Sequence, residues 1–525
     1  MKNRLAPLKN LFLLVGVLTL TLLASSCRDD FATTPSEGNL EFSRDTIFLD
    51  TVFSNIGSST YTLKVYNRSN KDINIPRVAL AKNENSLYRL NFDGVAGKEF
   101  TDVNILAKDS IFVFVETTVN FEDLPSGEKN NFLYTDALQF ESIGTTQKVE
   151  LVTLIQDAVF LFPKKDAQGI VETINLGTDD QGNELRIEGF VLDDDQLTLT
   201  NEKPYVIYGY LGVGTNKTLT IEAGVRLHFH ENSGIIVGAD GRLEINGTLS
   251  ADQEFQENEV ILEGDRLEPL FAEIPGQWGT IWLTPKSSAS ISHATIKNAT
   301  IALIADTEYD GENTDVEIEN TQIYNSSNIG LYCVNSSVNA SNFVVNNSGL
   351  TSVWLRLGGN YNFAHSTIAN YWNQGIRNFA ALTIDNYLQT ENEILAADLD
   401  QATFSNSIIY GNQQQELNIT KVEGTAFNFN FNNSLLLFQT GSSQADEDSF
   451  YNFSNSTYYS NIVTNEEPAF KAPYDNDLRI SNESAANALA SPTIAAETPQ
   501  DILGTARTSA PDSGAYESIT FDEDN

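Results

Sequence analysis

Between residues 219 and 371 the chain alternates short apolar, β-rich runs with asparagine turns, and no helical stripe of apolar positions interrupts them. Three runs align residue for residue: His293-Ala-Thr-Ile296-Lys-Asn298, Asn320-Thr-Gln-Ile323-Tyr-Asn325 and His365-Ser-Thr-Ile368-Ala-Asn370. A weaker copy, Ser341-Asn-Phe-Val344-Val-Asn346, falls between the last two. The closing asparagines stand 27, 21 and 24 residues apart. A strand-built period of roughly 20 to 30 residues marks a solenoid, in which each winding buries its apolar side against its neighbours. Within a winding, as in Val316-Glu-Ile318-Glu319 and Val225-Arg-Leu227-His-Phe229-His230, apolar and polar positions alternate, so one face of each strand must be buried.

Hairpin turns at regular short spacing would indicate an antiparallel meander. Asn246-Gly247, Asp240-Gly241 and Asp310-Gly311 are present, but not once per strand pair. Asparagine instead recurs once per winding, which suits a residue that tolerates left-handed φ and forms amide ladders between stacked turns. A parallel β-helix is therefore expected, with about 14 turns at ~24 residues each over residues 170–516 and recognisable coils from near Tyr205. An open stack leaves its end strands bare, so its N-terminal end requires a cap.

Residues 39–160 read differently. Phe42, Thr46-Ile-Phe-Leu49, Tyr61-Thr-Leu-Lys-Val-Tyr66, Ile111-Phe-Val-Phe-Val115 and Val149-Glu-Leu-Val-Thr-Leu154 are β-rich runs separated by Gly, Asn, Asp and Ser turns, as in an immunoglobulin-like sandwich. The chain is thus expected to be all-β, with the sandwich at 39–160, a transition and N-terminal cap at 161–204, and the β-helix at 205–520. Two excursions interrupt the coils. One spans residues 250–277, and the other spans 379–402 and includes a candidate short helix, Ile394-Leu-Ala-Ala-Asp-Leu399. Long insertions in solenoids collect on one face, often the binding face.

The first 26 residues read as an address. Lys2, Arg4 and Lys9 precede an uncharged apolar run, then Ala24-Ser25-Ser26-Cys27. The run is short for a membrane span and basic on its amino side only, as in a signal peptide. The small residues before Cys27 resemble the bacterial lipobox, which implies acylation of that cysteine; Ala24 stands where leucine is usual. Cys27-Arg28-Asp29-Asp30-Phe31 resembles the acidic export signal of Bacteroidota surface lipoproteins, and residues 27–38 have tether composition. By that resemblance the protein is anchored by lipid in the outer membrane and faces outward.

The ending, Asp501-Ile-Leu-Gly-Thr-Ala-Arg507 and Pro511-Asp-Ser-Gly-Ala-Tyr-Glu517, resembles the last coil of secreted bacterial right-handed parallel β-helix proteins. Leu219 to His230 and Gly276 to Trp282 are similar to the opening coils of a Bacteroidota lipoprotein group with this two-domain layout. The resemblance implies an architecture and brings no established activity.

Charge narrows the partners. The formal net charge of −40 becomes −43 once Lys2, Arg4 and Lys9 leave with the signal, so the surface repels nucleic acid and other polyanions. With 41% hydrophobic residues the chain is nonetheless a folding one. Of two cysteines one is Cys27, so the sandwich has no internal disulfide, and Cys333 reads as a small buried hydrophobe.

Several constellations are candidates for chemistry. The run Asp306-Thr-Glu308-Tyr-Asp310-Gly311-Glu-Asn-Thr-Asp315-Val-Glu317 matches a twelve-residue Ca²⁺ loop at its first, fifth, sixth and twelfth positions, with glutamate at the third. Strands flank it where helices are usual, and a solvated acidic turn is the competing reading. Arg226, His228 and His230 share the outward side of one strand. His-x-His is a zinc-ligand spacing, yet no third ligand is identifiable. His293 and His365 take the winding position of Asn320, which marks them as turn residues.

Two function classes follow. The first is a surface module that presents Trp278, Trp282, Trp354, Tyr371 and Trp372 to a glycan or partner protein without catalysis; aromatic residues facing inward would instead be core. The alternative is a polysaccharide lyase or glycoside hydrolase working in a groove, to which Arg356, Arg377, Asp265, Glu263 and Asp385 could contribute, though they form no motif. Asp45-Thr-Ile47, Asp50-Thr-Val52 and Asp109-Ser-Ile111 also resemble O-glycosylation triplets of Bacteroidota exported proteins.

Overall fold

The computed structural model describes residues 33–120, 131–178, 181–390, 393–439 and 449–521. Cys27, Asp29 and Asp30 lie outside them. The chain is all-β and divides into two compact units, Met1–Gln156 and Asp157–Asn525. Among the described residues no helix is long and apolar enough to cross a membrane.

In the first unit a six-stranded and a five-stranded sheet enclose one core, whose centre includes Ile47, Leu63, Val78, Val113, Phe140 and Leu151. The alternation read in the sequence places these residues inward, while Phe48, Phe112 and Phe114 on the same strands face out. The unit begins earlier than residue 39. Thr34–Pro35 pairs in parallel with Ile73 and Asn74, so part of the expected tether is an edge strand.

The second unit is dominated by one long parallel sheet in which, from Glu184–Val191 to Ser288–Ser292, each strand pairs with the third strand after it, while beyond these the longer, merged strands pair at other intervals. The chain thus returns to the same columns once per winding. The first column runs from Val159–Leu161 through Tyr205–Ile207, Arg226–Phe229, Val260–Gly264 and Ala294–Lys297 to Val463–Thr464. Among the described residues it contains eleven strands, against the fourteen or so expected. The difference lies in the excursions and the C-terminal segment, which add length without adding windings.

Three boundaries move. Winding starts at Val159, not near Tyr205: residues 159–199 supply one strand to each column, and Thr173–Thr178 adds an antiparallel partner to Glu184–Val191. It stops at Thr464, and residues 470–521 are not a last coil. Within the second excursion Ile394–Ala396 pairs antiparallel with Tyr387–Gln389, so the candidate helix is a hairpin strand. Six residues are too few to nucleate a helix against a partner that satisfies the backbone.

Inward ladders hold the stack together. In the first column Leu227, Leu262, Ile296, Ile323, Val345, Ile368, Ile409 and Leu436 follow one another, all within a single core. In the third column Phe363, Phe404 and Phe431 stack at 5.1 and 4.8 Å, near the ~4.8 Å spacing of paired strands. Each fully buried side chain of this size stabilises the fold by about 1.5–3 kcal/mol. Cys333 is one of these core residues.

The left-handed turns fall consistently at the opening position of the repeated runs, where His293, Asn320 and His365 read as turn residues, and only in part at the closing asparagines. His293, Asn320, Asn342, His365, Asn406 and Asn433 have φ between 46° and 52°, at the corner that leads into the first column. Amides bridge windings there: Asn342 Nδ2 donates to Asn320 Oδ1 at 2.8 Å, and Asn406 Nδ2 lies 2.8 Å from His365 Nε2. Of the four closing asparagines, Asn298 and Asn325 are left-handed, but Asn346 and Asn370 are not. Asn370 bonds Ser348 of the preceding winding, and Asn346 bonds Pro473 and Asn476 of the C-terminal segment.

Candidate functional site

Because strands stack in register, outward side chains also form lines. On the second column one such line runs Gly212, Ile236, Trp282, Ile304, Tyr332, Trp354, Thr383, Asn418. From Trp282 to Trp354 its members are half-buried, so apolar and aromatic surface stays open to solvent. Tyr332 and Trp354 meet edge to face at 5.7 Å, and Phe379 flanks Trp354 at 5.9 Å.

A polar row borders this line. Trp354 Nε1 donates to Asp385 Oδ2 at 2.8 Å, Arg356 lies 3.9 Å from the same carboxylate, and its guanidinium sits 4.6 Å from the Trp354 ring centre. Burial raises the Asp385 pKa, partly offset by the indole N–H and Arg356. Burial likewise raises that of Asp306, which lies beside the Trp282 indole. Aromatic surface next to fixed donors and acceptors is the arrangement that holds a polyhydroxylated ligand.

The first column carries a different outer face. Its outward line His228, Glu263, Lys297, Tyr324 places a carboxylate between two bases: Glu263 is 3.5 Å from His228 and 3.0 Å from Lys297. Burial works to raise the Glu263 pKa, but His228, Lys297 and Arg226 together hold it below the usual value. Beside this line is a groove of about 490 Å³, floored by Thr295, Lys297, Gln322 and Tyr324. Its walls are the first excursion, with Glu254 and Glu273, and the C-terminal segment, with Asp477, Arg479 and Tyr516. Arg479 and Asp477 pair with each other at 2.5 Å, and Glu273 accepts from Asn325 and Asn476.

The sequence candidates separate on this frame. Trp282 and Trp354 share the open line, whereas Trp278 is 1% exposed, stacked on Phe229 at 4.4 Å, with its N–H on the Lys297 carbonyl. Trp278 is core: it precedes the strand Ile281–Leu283, on an isolated bridge to Ala299, and its ring packs inward. Trp372 sits on the loop after Thr367–Asn370, and Tyr371 packs against Phe470 and Tyr474 of the C-terminal segment. Arg377 and Glu416 form a pair at 2.6 Å that is 1% and 0% exposed, a structural clamp on that loop.

The five carboxylates of the Ca²⁺ loop do not converge. Asp310 caps the N–H groups of Glu312 and Asn313, Asp315 accepts from Thr307 and Ser337, and Glu317 accepts from Asn339. Asp306 lies by Trp282, and Glu308 is exposed at a left-handed turn. Among the described residues no group of three or more His, Cys, Asp or Glu side chains could hold a metal ion. Flanking strands, held straight by the ladder, prevent the loop from closing on itself. Arg226 and His228 are outward but covered: Arg226 donates to the carbonyls of Phe255, Gln256 and Glu259, fixing the first excursion. His230 faces Asp265 at 2.7 Å and stacks on Tyr208.

Ile304, Tyr332 and Phe379 were missed by the sequence reading. Tyr332 was within reach of it, since it alternates with Leu331 and Cys333, whereas Phe379 reaches the line only through the loop clamp.

No protein-family model and no curated protein sequence matches the chain. Among solved structures it is similar to a family 123 glycoside hydrolase from Clostridium perfringens, studied for glycolipid glycan hydrolysis: 8% identity, 23% of this chain and 26% of that one, TM-score 0.16. The match thus spans about a quarter of that enzyme. An ASH/PapD-like domain of human CEP192 gives 10% identity over 24% of this chain and 89% of that domain, TM-score 0.16. The catalytic domain of a GH87 α-1,3-glucanase in complex with tetrasaccharides gives 9% identity over 77% of this chain and 86% of that one, TM-score 0.17. At these TM-scores none of them carries an argument about fold or activity.

Proposed function

We propose that the second unit is a right-handed parallel β-helix and the first an immunoglobulin-like sandwich, carried at the outer face of the outer membrane by lipid on Cys27 with Asp29 and Asp30 as export signal. In this reading the protein binds a glycan without cleaving it. The return of the chain to the same column in successive windings, by parallel pairing, supports the β-helix. The half-open line Trp282, Ile304, Tyr332, Trp354, bordered by Arg356 and Asp385, supports the binding role and carries the proposal.

Purified protein incubated with a glycan panel is expected to retain one or more members, with no new reducing ends and no ultraviolet-absorbing unsaturated products. Appearance of product would replace this reading with the lyase or hydrolase alternative. For the anchor, detergent-extracted protein should have the mass of the chain from Cys27 plus acyl groups, and Cys27→Ser should release it from membranes. An unmodified mass would remove the lipoprotein assignment.

A further inference from the structure

At one end the aromatic line runs under a roof. The antiparallel pair Thr173–Thr178 and Glu184–Val191 contributes only its second strand to the column; the first projects beside it. Ile174 of that strand lies over two glycines: a Cβ on Gly212 would come within 2.9 Å of its Cδ1, and one on Gly189 within 3.0 Å. The chain backbone therefore lies close beneath Ile174, and the line's one further member, Val191, paired with Gly212 in the preceding strand, lines the same cleft. Just inside this roof is a cleft of about 430 Å³, lined by Ile174, Val191, Gly212, Ile236, Trp282 and Pro285 among others. Its volume is near the low end for small-ligand sites. Gly212, Ile236 and Trp282 are consecutive members of the same outward line. In a chain of net charge −40, no ionisable side chain among the described residues lines this cleft.

We propose that the cleft is the closed end of the line and seats the terminal residue of a neutral, unbranched glycan, the remainder of which runs over Ile304 and Tyr332 to Trp354. This rests on the binding reading above and adds to it an end and a direction. The uncharged lining favours a neutral chain end, since a carboxylate or ammonium placed there would lose its hydration with no counter-charge to replace it. Along the line, Arg356 is already engaged with Trp354 and Asp385, so it is not a free base for an anionic chain. Ile236, Trp282, Ile304, Tyr332 and Trp354 are separated by four strand steps, or about 19 Å at the spacing of paired strands.

The test uses calorimetry of the full chain with cello-, laminari-, nigero- and manno-oligosaccharides of two to seven residues, each free and tagged at its reducing end. For the series that binds, affinity should climb with length and level off at about five residues, one per strand step plus the terminal ring. Ala239→Trp, at an exposed lining position, should weaken every length by about tenfold or more, while Trp354→Ala should weaken only the longer chains. A single cooperative melting transition in each verifies that both variants fold. A tag that abolishes binding places the reducing end in the cleft, and a tag without effect places the non-reducing end there; if Ala239→Trp has no effect while Trp354→Ala still weakens binding, the closed-end assignment is overturned and the binding reading stands. If no oligosaccharide binds, both fall.

Discussion

The first and second columns put apolar side chains outward in similar number, yet one outer face is closed and the other open. On the first column Val344, Ala369, Ile408, Tyr410 and Leu435 are outward and buried, because residues 470–521 lie across them with Leu478, Ile480, Ile502, Ala515 and Tyr516. Gly514 donates to the Asn406 carbonyl, and Ala515 donates to Thr367 Oγ1, which docks the segment in register. On the second column no segment among the described residues covers Trp282, Ile304 and Tyr332 in this way, and all three stay half-buried. An outward apolar residue in a stacked sheet is thus ambiguous: it belongs either to a second, external core or to a binding surface.

The largest expected effect tests the clamp at the far end of the open face. Arg377→Met leaves Glu416 buried without its partner and should cost about 3–5 kcal/mol, measured by denaturant unfolding. The double variant Arg377→Met, Glu416→Leu should recover most of it; no recovery would mean that the pair's hydrogen bonds to Asn370, Phe379 and Ala381 dominate.

Next is the closed face. Gly514 has φ 98°, and a Cβ there would lie 2.7 Å from Ile408 Cδ1. Gly514→Val should cost about 2–3 kcal/mol through strain and overpacking, and the lifted segment should increase binding of a hydrophobic dye. Dye binding as in the parent would show that the first column's outer face stays covered without register at Gly514.

Trp354→Ala should reverse the balance, costing only about 1–2 kcal/mol of stability through the lost Asp385 bond and Arg356 contact, yet weakening glycan retention. A large stability loss with unchanged retention would make Trp354 structural.

The smallest effect contrasts the two faces by pH. Asp385 is raised above its ordinary 3.8, so the folded chain holds a proton the unfolded chain releases, and its contribution to stability declines as pH rises through the window just above 3.8. Glu263 is lowered from 4.5, so its contribution is present above 4.5 and is lost as pH falls through the folded value. Asp385→Asn should remove the first slope and Glu263→Gln the second, read from melting temperature across pH. Identical profiles for the two variants would erase the electrostatic distinction.

Much of the architecture was readable along the chain. Period-2 alternation fixed which side chains face inward, since a one-residue slip would expose every apolar position, and asparagine or histidine once per winding marked the left-handed corner. The inward ladder from Leu227 to Leu436 needed no more than that pattern. What alternation cannot encode is which strands become neighbours outside the core. Trp278 and Trp282 are four residues apart, and only the turn between them makes one core and the other surface. The Asp306 to Glu317 spacing looked like a cation loop until the flanking strands held its carboxylates apart. Residues 501–517 looked like a final coil, but only the packed structure lays them over an outer face more than a hundred residues earlier, because that face was apolar and no further winding remained to shield it.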